Sequence, residues 1–189
     1  MALYHVRVAR TGTALITRLL APLGGLALAG ALMAGCAPAP DAAAIVDGEA
    51  IGESDVASVV EQLNPFLQTP ISPAQAIQSL VTAPEMIAVA SDAGLGISEE
   101  DATATLAGLS AQAGVETEEF SDATVLVTRS LLASSAIQQD AAAADLLGEV
   151  SDRVSELSVT VSPRYGEWDG QAVAAPTYAW IVTPQTPSP

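Results

Sequence analysis

The 189-residue chain contains no lysine, a single histidine (His5), a single cysteine (Cys36) and only seven aromatic residues among Phe, Tyr and Trp. Each shortage closes off a class of chemistry. Without lysine there is no Schiff base and no Walker A phosphate loop. One cysteine excludes an intramolecular disulfide, and a lone thiol makes a poor metal site. Positive charge is scarce as well: six basic residues, all arginine, stand against twenty-two acids, for a formal net charge of −16. Such a chain repels phosphate backbones, so nucleic acid is not an expected partner, and neither is anionic lipid held through a basic patch.

What is present begins with an export signal. His5, Arg7, Arg10 and Arg18 come with no acid among them, the apolar run Leu19 to Met33 follows, and small residues lead to Cys36. The run is too short for a transmembrane helix. Leu32-Met33-Ala34-Gly35-Cys36 matches the lipidation motif of bacterial lipoproteins, with Met33 at a position where Leu is usual. The sequence therefore predicts a signal peptide over residues 1–35, acylation of Cys36, and attachment to the lipid bilayer at the extracytoplasmic face of the cell membrane through acyl chains. A buried apolar cysteine is the rival reading of Cys36.

Removal of residues 1–35 sharpens the shortages. Three arginines (Arg129, Arg153, Arg164) then face all twenty-two acids, a formal charge of −19, and no histidine is left. Histidine-based triads, acid/base pairs and zinc sites are excluded with it. Carboxylate chemistry survives, either paired acids for glycoside hydrolysis or oxygen ligands for calcium. The acid clusters Glu99-Glu100-Asp101 and Glu116-Thr117-Glu118-Glu119 lack the spaced Asp/Asn and turn Gly of an EF-hand and fit solvated helix starts better. The expectation is a non-enzyme with no metal and no cofactor.

Beyond Cys36, residues 36–43 form a tether of small residues and proline, residues 44–169 a folded domain, and residues 170–189 a Pro/Thr-rich tail expected to be disordered. Ala44–Val46 and Glu49–Ile51 flank Asp47-Gly48, the signal of a two-residue type I′ hairpin. Ser54 is the expected N-cap of a helix carrying Val56, Val59, Val60, Leu63 and Leu67, ended or kinked by Pro65. Ser72-Pro73 starts a second helix with the stripe Ile77, Leu80, Val81, Pro84 and Ile87, kinked at Pro84 and closed by Gly94. Ser98 and its acids start a third, lined by Ala102, Leu106, Leu109 and Ala113 and ended by Gly114. Phe120 to Ile137 is apolar on more than one side, so it is either central or exposes apolar surface to something else. Leu146, Leu147, Val150, Val154 and Leu157 restore a one-sided stripe, and Val159 and Val161 then alternate with polar residues as a strand. That strand is placed to join the N-terminal hairpin. The expected fold class is mainly α, with a small β-sheet made by an N-terminal hairpin and a C-terminal strand.

Ile45-Val46-Asp47-Gly48-Glu49-Ala50-Ile51 with Glu53-Ser54-Asp55-Val56 resembles the opening of SurA-type and PrsA-type extracytoplasmic folding factors. Val159-Thr160-Val161-Ser162-Pro163-Arg164-Tyr165-Gly166-Glu167-Trp168-Asp169 is similar to the strand that closes them, with Ser162 where Asn is expected. The resemblance covers roughly residues 44–169 and rests structurally on Asp47, Gly48, Ser54, Arg164, Tyr165, Gly166 and Trp168. It implies a helical SurA-N-like chaperone domain that binds unfolded or nascent exported proteins. The histidine-bearing parvulin domain of the isomerase members has no counterpart here, so prolyl isomerase activity is expected to be absent.

Leu80, Met86, Val127, Leu131 and Leu132 are the candidate client-contacting residues, although a lone Met at a helical apolar position such as Met86 is more often core filler. Arg164 is expected to pair with an acid or lie over an aromatic ring, and Trp168 and Trp180 to grip a partner or dock on the domain. The high negative charge favours a soluble monomer. Two functions remain open: a membrane-anchored chaperone-like binder of exported polypeptides, or a structural lipoprotein that docks on one cell-envelope partner.

Overall fold

Asp47 and Gly48 both adopt positive φ, 50° and 90°, as a type I′ turn requires. They join strand β1 (Ala42–Val46) to strand β2 (Glu49–Gly52). A computed structural model describes residues 41–115 and 119–174. Residues 1–35, expected to be a signal peptide, Cys36, residues 37–40 of the expected tether, residues 116–118 of the second acid cluster, and residues 175–189 with Trp180 lie outside the described residues. Both apolar clusters of the folded unit are built from residues between Ala43 and Val173, so it carries its own core.

Strand β3 (Val159–Val161) pairs antiparallel with β1, as its alternation predicts, giving the sheet order β2-β1-β3. Ala44 and Val161 on the inward face are buried. Among the described residues, five α-helices complete a mainly helical fold with a small antiparallel sheet from both ends of the domain. Helix α1 (Glu53–Leu63) begins at Gly52, whose N–H donates to the Asp55 carboxylate at 3.1 Å. Ser54 therefore lies inside the first turn, and the expected Ser54 N-cap is corrected: the acid beyond it supplies the capping bond. Pro65 ends α1 as expected, in a 3₁₀ turn over Asn64–Phe66.

Helix α2 (Pro73–Asp92) starts at Ser72 with a full capping box, Gln75 N–H donating to Ser72 Oγ and Ser72 N–H to Gln75 Oε1. Helix α3 (Glu99–Ala113) repeats the device with Ser98 and Asp101, and Gly114 ends it in the left-handed region at φ 64°. Its buried face is Ala102, Leu106 and Ser110, whereas Leu109 and Ala113 are exposed. The inward face thus runs at steps of four, and the stripe expected through Leu109 and Ala113 is turned toward solvent.

Helix α4 (Asp122–Gln139) packs against α1, α2, α3 and helix α5 (Ala143–Glu156), and most extensively against α2. Its apolar character on several sides is that of a central helix. Gln62 in α1 fixes its entry, accepting the Ser121 N–H at 3.0 Å and donating to the Glu119 carbonyl. One apolar cluster joins the sheet to α1, the first half of α2, Leu106 and Val127, and a second joins Val89 and Ala90 to Ala133, Ile137, Val150 and Val154. Trp168 packs against both.

The fold continues past residue 169. Strands β4 (Glu167–Trp168) and β5 (Val173–Ala174) form a second, two-stranded sheet, so the first five residues assigned to a disordered tail are structured. Val173 packs on the first cluster, and Asp169 receives the N–H groups of Gln171 and Ala172 in the turn. Strand pairing, the Asp169 turn and partial burial of Val173 together hold this segment despite its Gly/Pro/Thr-rich composition.

Candidate functional site

A cleft of about 690 Å³ opens between the β1–β2 hairpin, the middle of α2 and the first half of α4. Helical spacing explains its walls. On α2, Leu80 and Pro84, and likewise Val81 and Glu85, stand four apart on one side of the helix. On α4, Asp122, Val125, Leu126 and Arg129 recur at steps of three and four and line the facing wall. Val46, Ala50 and Ile51 contribute from the hairpin, and Leu157 closes one side.

Pro84 is exposed on this wall, inside an otherwise continuous helix. Lacking an N–H, it deprives the Leu80 carbonyl of its usual helical donor.

The rim is acidic. Asp47, Glu49, Asp55, Glu85, Glu99 and Asp122 all line the cleft, against Arg129 as the single cation lining it among the described residues. Arg129 is committed elsewhere: Nη1 lies 3.3 Å from Glu99 Oε1, and Nε donates to the Ile97 carbonyl at 3.2 Å, tying α4 to the start of α3. Among the described residues, no arginine comes within ion-pair distance of Asp47, Glu49, Asp55, Glu85 or Asp122. The Asp47 carboxylate instead accepts the Ser158 N–H at 2.9 Å, locking the hairpin tip to the β3 entrance. The result is an apolar floor under a net negative field.

The predicted site residues scatter. Leu80 lines the cleft, although most of it is buried. Val127 is 2% exposed within the first cluster and cannot reach a client. Met86 packs against the second cluster, in its core-filling role. Leu132 is half-buried and Leu131 is 56% exposed, and neither lines the cleft. The α4 residues that do are Ala123, Val125, Leu126 and Arg129. Their spacing was readable in the sequence, but which side of an all-round apolar helix stays uncovered depends on α1, α2, α3 and α5.

Among the motif residues, Arg164 meets both of its expected partners, with Nη1 2.8 Å from Glu53 Oε1 and the guanidinium 5.8 Å from the Tyr165 ring centre. Tyr165 is half-buried against the first cluster. Gly166 is buried at φ 134°, where a Cβ would collide with the Ala174 carbonyl oxygen. Arg153 is held above the usual arginine value by hydrogen bonds to Asp92 and then Glu149, and Asp169 below the usual aspartate value by the Gln171 and Ala172 N–H groups. Both lie away from the cleft and serve the fold. Among the described residues there is no cluster of three potential metal ligands, and no helix is long and apolar enough to cross a membrane.

No protein-family model matches the chain, and no curated protein or solved structure does either.

Proposed function

We propose that this protein is a lipid-anchored, chaperone-like module that binds unfolded or partly folded exported polypeptides at the outer face of the cell membrane, without isomerase activity. The observation that carries the reading is the open cleft: apolar side chains from the hairpin, α2 and α4 line about 690 Å³ of accessible space beneath a charged rim. Concave, largely apolar and mostly preformed surfaces are the usual seats of ligands. The resemblance of the opening hairpin and of Val159–Asp169 to SurA-type and PrsA-type folding factors points the same way, and the lipidation motif read at Cys36 supports a site where exported chains emerge.

The test is aggregation of unfolded clients in the presence of residues 37–189. Suppression at near-stoichiometric ratio is expected for several unrelated clients, and no suppression for any of them overturns the proposal. Photocrosslinking in cells from Leu126, inside the cleft, is expected to trap many exported proteins, with Leu131 as the control outside it. Capture of one envelope protein alone identifies a docking lipoprotein instead.

A further inference from the structure

We infer that the cleft takes an extended polypeptide segment whose apolar residues are bordered by arginine or lysine, and that this segment adds to the exposed edge of β2 as a fourth strand. The inference rests on the proposed binding role and specifies the ligand's chemistry.

The edge follows from the hydrogen-bond alternation of the sheet. The order β2-β1-β3 leaves β2 at the rim. Asp47-Gly48 is a two-residue turn, so Val46 and Glu49 exchange both bonds, and the next pair, Ile45 and Ala50, exchanges none. On its other side β1 uses the odd residues: Asp47 N–H donates to Ser158 O and Ser162 N–H to Ala43 O, both at 2.9 Å. The N–H and C=O of Ala50 therefore point away from β1, and among the described residues nothing occupies them. Ala50 is exposed, lines the cleft and carries neither bulk nor charge to block an incoming chain. An unpaired pair of backbone groups on a sheet edge is a template for strand addition.

The floor and rim select the side chains. A strand lying along β2 turns alternate residues inward, toward Ile51, Leu126 and Pro84, which favours apolar side chains there. Among the described residues, Glu49, Glu85 and Asp122 around this path have no cation of their own, and the one arginine lining the cleft is paired with Glu99. Acidic segments are repelled and cationic flanks attracted, an effect that salt weakens.

The test measures binding of fluorescein-labelled peptides to residues 37–189 by anisotropy. Two peptides share one alternating apolar core and differ only in arginine or glutamate flanks; a third is the arginine peptide with backbone N-methyl groups at alternate residues. The arginine peptide is expected to bind at least about tenfold more tightly than the glutamate peptide. That gap narrows from about 50 to about 500 mM salt and shrinks in E49Q/E85Q. The control E61Q/D152N makes the same charge change outside the cleft and is expected to leave binding as it was. N-methylation is expected to weaken binding about tenfold through loss of the strand bonds. Equal binding of both flanks, or an equal loss in E61Q/D152N, overturns the charge selection, and unchanged binding of the N-methylated peptide overturns strand addition. Both leave the chaperone reading standing. Binding of no peptide at all overturns the client-binding cleft itself.

Discussion

Gly166 holds a conformation that only glycine adopts without strain, φ 134°, with the Ala174 backbone where a Cβ would sit. Gly166→Ala is expected to lower stability by about 1–3 kcal/mol, read as a fall in the urea midpoint of residues 37–189 at constant slope. An unchanged midpoint means that β4 and β5 contribute nothing to the cooperative unit. Asp169 acts in the same hairpin by charge. The N–H groups of Gln171 and Ala172 stabilise its ionised form and lower its pKa from the ordinary 3.8. A carboxyl depressed in this way contributes stability that is fully present above the ordinary value and lost as pH falls below it. The advantage of the wild type over Asp169→Ala in thermal midpoint is therefore expected at neutral pH and should shrink progressively as pH falls below that value and through the lowered pKa. An advantage that persists in acid shows that packing, and not the charged hydrogen bonds, holds the turn.

Elements in this chain are started by short polar devices whose reach is three residues. Ser72 with Gln75 and Ser98 with Asp101 each satisfy two N–H groups at a helix start, and both serines are legible in sequence as caps. Ser54 has the same local appearance, yet the chain enters α1 two residues earlier, at Gly52, because Glu53 N–H is held by the Asp41 carbonyl and Asp55 caps Gly52. Ser98→Ala is thus expected to cost about 1 kcal/mol. Ser54→Ala should stay within about 0.5 kcal/mol of the wild type, as an exposed non-capping position does. Thermal melts of the two variants side by side check both values, and an equal loss restores Ser54 as the cap.

At the scale of the molecule, charge and packing compete. The four ion pairs among the described residues all involve partly or largely exposed side chains and contribute about 0–1 kcal/mol each. They are outnumbered by acids that repel one another in the compact state. Raising salt from about 50 to about 500 mM is expected to raise the melting midpoint of residues 37–189, since screening removes more repulsion than attraction. A fall in the midpoint means that the ion pairs dominate.

Charge balance, the missing lysine, the Asp47-Gly48 turn, the helix starts at Ser72 and Ser98 and the alternation of Val159–Val161 were determined by the sequence alone, because each depends on neighbours within a few residues. The joining of β3 to the hairpin also followed, since an isolated half-apolar strand needs a partner. Only the tertiary structure decided that Val127 is core and Val125 and Leu126 line a cleft, that Leu109 faces outward, and that Val173 is drawn into a second hairpin beneath Trp168. Those outcomes depend on which surfaces distant segments cover, as when Gln62 in α1 sets the entry of α4. A helix apolar on several sides carries no local signal for which side stays open; burial against its neighbours makes that choice.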